Sequence, residues 1–268
     1  MSPRPAIPDP PAPQPPAAPH GPAVPVSVTA VLRDALRFWR RHVWFLTSIS
    51  AVVWLPLLVL QLVGVAHGIE IDTDAFDLPD VLLNIAIVLV FELLAAELLA
   101  AASEKIVGDD LHGGGLPSRR EFFTGVPWAS LVGGTLLYEI AVTLGLALFV
   151  VPGFVFAVWG VVTGPVVVAE GKRAFRAPGR SRALVRGSFR PVALLVVIGF
   201  VVAELINAGA GELLGTLPHD WAEPIGEYLV HVASSPLFGM ATAVLYYALV
   251  ARERARTRNE PAGAGSSG

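Results

Sequence analysis

The sequence predicts an all-α integral membrane protein of six transmembrane helices, arranged as three hairpins with cytoplasmic amphipathic helices. Three observations predict it. Six apolar runs, at about 44–65, 81–102, 129–150, 153–170, 192–208 and 226–250, are each close to the roughly 20 residues that cross a bilayer core of about 30 Å, and none contains a Lys or Arg. All 19 Lys and Arg then fall on one side, in the segments from Arg4 to Arg41, Lys105 to Arg120, Lys172 to Arg190 and Arg252 to Arg258. The opposite connections, 66–80, 151–153 and 209–225, carry Glu70, Asp72, Asp74, Asp77, Asp80, Glu212, Asp220 and Glu223 but no base. That partition is the positive-inside pattern and orients both termini to the cytoplasm.

Composition agrees. With 54% hydrophobic and 15% charged residues and a mean hydropathy of +0.62, a soluble chain of this kind would not stay in solution. The net charge of −3 matters only through its division between the two faces. The absence of cysteine excludes a disulfide framework, a thiolate metal site and a cysteine nucleophile. No cleavable signal peptide is expected, because the leading segment is Pro-rich where an apolar region should stand. The Arg-rich, Lys-poor composition correlates with a GC-rich bacterial genome, so a bacterial cytoplasmic membrane is the expected location.

Residues 1–26 hold 11 of the 23 prolines and are expected to form a disordered, polyproline-like tail. The membrane domain then runs over 27–253, and 254–268, ending in Gly-Ala-Gly-Ser-Ser-Gly, forms a second disordered tail. Ahead of the first hairpin, Leu32, Leu36 and Trp39 share one helical face and Arg33, Arg37 and Arg40 another, which suits a helix in the headgroup layer. Arg119 and Arg120 with Phe122, Phe123 and Trp128 introduce the second hairpin. Arg182, Arg186 and Arg190, beside Leu184, Val185 and Phe189, introduce the third. Pro56, Pro165 and Pro236 should kink their spans. Gly160 and Gly164 form a small-xxx-small pair for close packing inside the monomer or for dimerisation. The short connection Val151-Pro152-Gly153 makes the third and fourth spans antiparallel neighbours.

From that connection onward, Val151-Pro152-Gly153, a span ending in Val168-Ala169-Glu170-Gly171, and then Arg180-Ser181-Arg182-Ala183-Leu184-Val185-Arg186-Gly187 resemble the membrane domain attached to some bacterial glycerophosphodiester phosphodiesterases and its stand-alone relatives. The resemblance covers about 40 residues. Ala177-Pro178-Gly179 departs from the pattern, so the basic helix is expected to begin near Gly179. No catalytic domain follows the last span, and the resemblance therefore implies an architecture and a membrane without hydrolytic activity.

Candidate chemistry is sparse. His112-Gly113-Gly114-Gly115 matches an esterase oxyanion loop, but the chain lacks a Gly-x-Ser-x-Gly nucleophile elbow and reads there as a loop. A divalent-cation site from Asp72, Asp74, Asp77, His219 and Asp220 is the weaker explanation of acids that topology already tolerates. Neither a catalytic residue, a cofactor nor a resident metal is expected. Glu92, Glu97, Glu139 and Glu204 lie within spans, where an ionised group costs on the order of 2.5–3.5 kcal/mol at the centre. Glu92 and Glu139, the latter beside Tyr138, are the deepest, and serve either as hydrogen-bonded acids joining helices or as a proton or cation path. The seven bases between Lys172 and Arg190 have no acid among them; Arg180, Arg182, Arg186 and Arg190 are the candidate contacts to anionic headgroups, at roughly 1 kcal/mol per base. The expected role is structural, accessory or lipid-associated. The partners are membrane lipids, anionic ones included, with no nucleic acid and the protein partner left open. A small-substrate or ion transporter using the intramembrane carboxylates is the alternative, and an intramembrane enzyme built on His231, Ser234 and Ser235 a third possibility.

Overall fold

The computed structural model describes residues 26–66, 95, 98–111, 113, 126–214 and 221–259, all helix, turn or irregular, with no strand among them. Eight helices are described: α1 (Val28–Ala66), α2 (98–111), α3 (Trp128–Leu148), α4 (Val150–Gly160), α5 (Thr163–Glu170), α6 (Ala177–Arg186), α7 (Phe189–Leu214) and α8 (Ala222–Asn259). Four stretches are long and apolar enough to cross a membrane: Val28–Gly64, Val151–Glu170, Phe189–Ala210 and Pro224–Thr257. The expected second span, at 81–102, lies mostly outside the described residues, as do Glu92, Glu97, His112, the acids from Glu70 to Asp80, His219 and Asp220.

α1 joins the amphipathic segment to the first span as one helix of 39 residues, interrupted at His42 (φ −117°, ψ 17°). The break falls where the Arg-rich segment gives way to apolar sequence. The expected kink site, Pro56, keeps helical backbone angles. α1 and α8 share an extensive contact, and α7 packs along α8. α2 crosses α8 closely: a Cβ on Gly239 would stand 2.7 Å from Ser103 Oγ and 3.0 Å from the Leu99 carbonyl oxygen. Leu46, Ile106, Leu131, Val158, Val166, Met240, Tyr246 and Leu249 bring six of these helices into one buried cluster.

The connection expected at Val151-Pro152-Gly153 is one residue long and earlier. Phe149 alone is extended (φ −156°, ψ 132°), and Val151-Pro152-Gly153 belong to α4. Proline is tolerated there because first-turn amides have no intrahelical acceptor. α3 and α4 approach so tightly that a Cβ on Gly145 would lie 2.7 Å from Gly153 Cα. A Cβ on Gly160 would collide with the Tyr138 ring, so this glycine serves packing inside the monomer. The fourth span is also broken, at Val161-Val162, and Pro165 falls in the first turn of α5. Its missing N–H therefore costs no interior hydrogen bond. α5 ends on Gly171 in the left-handed conformation (φ 60°), a glycine C-cap. α6 begins at Ala177, two residues before the expected Gly179, because Pro178 fits its first turn.

Large apolar side chains point outward along the long helices, among them Trp44, Val52, Phe200 and Leu205. A lipid environment removes the cost that water would impose on such faces.

These close approaches predict that Gly145→Ala and Gly160→Ala each destabilise the detergent-solubilised protein by roughly 1–3 kcal/mol. Gly64→Ala, which meets open space inside a helix, should be neutral or stabilising by up to about 1 kcal/mol. Thermal unfolding of the three variants measures this, and equal melting temperatures would refute the close packing.

Candidate functional site

The described parts of the basic segments, far apart in sequence, meet at one end of the bundle. Arg41 of α1 pairs with Asp110 of α2 at 3.0 Å, and Arg252 of α8 donates to Ser188 Oγ between α6 and α7. At the centre stands Arg180 on α6. Its Nε donates to both oxygens of Glu170, at 3.0 and 3.1 Å, and its two terminal nitrogens form a fork with the Glu253 carboxylate at 2.6 Å each. The carboxylates come from the end of α5 and from α8, so one guanidinium ties three helices together. Bidentate, charge-assisted bonds are the strongest that side chains make. The hydrogen bonds donated to Glu253 raise the guanidinium pKa most; burial opposes this, and Glu170 adds to it. Lys172 lies 4.0 Å from Glu170, and Tyr246 donates a long bond of 3.4 Å to the same carboxylate.

Neighbouring contacts hold α6 against α4. Ser181 donates to the Trp159 carbonyl oxygen at 2.7 Å, occupying an acceptor beside the break between α4 and α5. The Arg182 guanidinium lies over the Trp159 ring at 4.1 Å. Among the candidate lipid contacts, Arg180 is thus engaged inside the protein, Arg182 is exposed but stacked, and Arg186 and Arg190 are exposed.

A further acid at this end was absent from the sequence expectations. Glu104 on α2, beyond the four candidate spans, is buried and accepts a hydrogen bond from Tyr247 at 2.7 Å. Burial pushes its carboxyl up to about 7, partly offset by the Tyr247 hydroxyl. Gly108, one turn further on, leaves room for that hydroxyl, which would lie 2.6 Å from a Cβ there.

Toward the other end, Gln61 donates to Glu227 at 2.8 Å, His231 Nε2 lies 3.8 Å from the same carboxylate, and the imidazole stacks on Trp54 at 4.1 Å. The spacing of Glu227 and His231, one helical turn, was the signal in the sequence. Ser234 and Ser235 donate to the carbonyls of Val230 and His231 at 2.7 and 2.6 Å, so their hydroxyls serve the helix backbone and do not face His231 as nucleophiles face a base. Glu204 is exposed on α7. Glu139 falls in α3, its side chain outside the description. Among the described residues no cluster of three or more His, Asp or Glu is placed to hold a metal.

No family model, curated protein or solved structure matches this chain.

Because Glu104 is held with a raised pKa, its contribution to stability is fully present below about 4.5, its unfolded value, and is lost as pH rises through about 7. Thermal unfolding should therefore show a decline on the order of 3 kcal/mol between pH 4.5 and 8, and Glu104→Gln should flatten that component. A wild-type profile that rises over this interval, or one unchanged by the substitution, would contradict the assignment.

Proposed function

We propose that the chain is a non-catalytic protein of a bacterial cytoplasmic membrane, crossing it six times with both termini inside, in a structural, accessory role tied to anionic lipid. The relationship to the membrane domain of glycerophosphodiester phosphodiesterases belongs to the same proposal. The observation that carries the reading is the surface of the basic end. Phe175 is 82% exposed between Arg173 and Arg176. Beside it α6, held to the bundle through Arg180, turns Arg182 and Arg186 outward. An apolar ring among bases on a docked helix suits the headgroup layer of an anionic leaflet, where the ring enters the acyl boundary and the bases meet phosphates. Direct contacts of Arg41 with Asp110, Arg180 with Glu253 and Arg252 with Ser188 support placing all the basic segments on one side.

For topology, cysteine labels at Thr73 and Leu217 should report the outside, and labels at Gly114, Gly179 and Ala262 the cytoplasm. Protection at Thr73 with labelling of Gly179 from outside would reverse the orientation.

For lipid association, the protein in nanodiscs should enrich anionic over zwitterionic lipid in its annulus. Joint replacement of Arg182, Arg186 and Arg190 with Gln should weaken that preference by roughly 3 kcal/mol, about 1 kcal/mol per base, and rising salt should weaken it further. Lipid composition of the recovered annulus is the readout; no preference in the wild type would end the reading.

A further inference from the structure

The Gly187-Ser188 turn between α6 and α7 meets the last turns of α8 around a cleft of about 200 Å³, lined by Ala183, Leu184, Gly187, Arg252, Glu253 and Arg256 among others. Two guanidiniums converge in it. The Nη1 atoms of Arg252 and Arg256 each lie 2.9 Å from the point that a Cβ on Gly187 would occupy, so glycine alone leaves both of them room. Arg252 also reaches the buried Ser188 hydroxyl. Glu253, the carboxylate on the lining, has both oxygens committed to Arg180. Among the described residues no carboxylate lies within ion-pair distance of Arg252 or Arg256.

Two like charges brought side by side without a counter-ion repel, and an oxyanion between them reverses the sign of that interaction. Planar guanidinium forks match the several oxygens of a phosphate group, each fork giving two parallel donors. Thr257, also on the lining, donates its hydroxyl to the Arg254 carbonyl at 3.0 Å, so the guanidiniums remain the donors for the ligand. We infer that this cleft binds one phosphate group, held between Arg252 and Arg256 against the Gly187-Ser188 turn. The inference deepens the lipid-associated reading and rests on it for the carrier of the phosphate, the headgroup of an anionic phospholipid. A soluble phosphate ester presents the same chemistry.

The test uses the full-length protein in neutral detergent and follows thermal stabilisation and native-mass binding as three probes are titrated: phosphatidylglycerol, glycerol 3-phosphate and phosphatidylcholine. Phosphatidylglycerol should bind saturably at one per chain, with phosphatidylcholine inert. The joint variant Arg252→Gln, Arg256→Gln should lose that binding. Gly187→Ala, whose backbone (φ −85°) suits any residue, should fold normally and weaken binding roughly tenfold or more as its Cβ displaces the guanidinium ends. Binding of glycerol 3-phosphate with the same response to the variants would uphold the cleft and identify a soluble phosphate as its ligand. Loss of the annular lipid preference with the saturable site intact would sink the lipid-associated role and not the cleft. Saturable binding unchanged in both variants, phosphatidylcholine binding as well as phosphatidylglycerol, or no binding of either anionic probe would overturn the inference.

Discussion

One guanidinium carries the organisation of the basic end. Arg180 is side-chain half-shielded, 26% exposed, and satisfies two carboxylates from different helices. Without it the shielded Glu170 and the more exposed Glu253 would be left as like charges beside α6 without their shared partner, and the amphipathic helix would lose its strongest tie to the bundle. Isolated surface ion pairs contribute little, but a fork of this geometry joined to a second carboxylate holds position as well as charge. The neighbouring bond from Ser181 to Trp159 and the stacking of Arg182 depend on α6 being placed in this way.

That clasp also divides the arginines by role. Arg180 is neutralised within the protein, whereas Arg186 and Arg190 keep their charge on the surface, and Arg252 and Arg256 meet at Gly187. A basic segment that looks uniform as a string of residues is therefore three things: a structural tie, a solvent-facing array and half of a cleft. Glu253 is the hinge of this division, since its engagement with Arg180 leaves Arg252 and Arg256 without an acid among the described residues. The same end holds Glu104, buried against Tyr247, so the region combines fixed positive charge with a carboxyl poised near neutrality.

Close backbone approach is the second device of the fold. Gly145 against Gly153, Gly160 against Tyr138 and Gly239 against Leu99 and Ser103 let helices pack where lipid offers no hydrophobic drive to press them together. The prolines follow a related logic: Pro152, Pro165 and Pro178 all stand in first turns, where the missing amide proton is no loss. Only the small-residue pair at Gly160 and Gly164 announced such packing in the sequence, and its ring partner Tyr138 did not.

The sequence by itself determined the helical class and the apolar stretches, because length and hydropathy add along the chain and need no knowledge of neighbours. It also located the basic helix to within two residues. Tertiary structure decided the rest. Arg180 finds Glu253 across 73 positions and Tyr247 finds Glu104 across 143, separations over which no periodicity speaks. The Gln61–Glu227–His231 contact was half legible, through the one-turn spacing of Glu227 and His231, while Gln61 came from another helix. The break at His42 and the one-residue turn at Phe149 were likewise settled by how helices had to turn to meet one another. Pairing is a property of which faces meet, and that is fixed only when the helices pack.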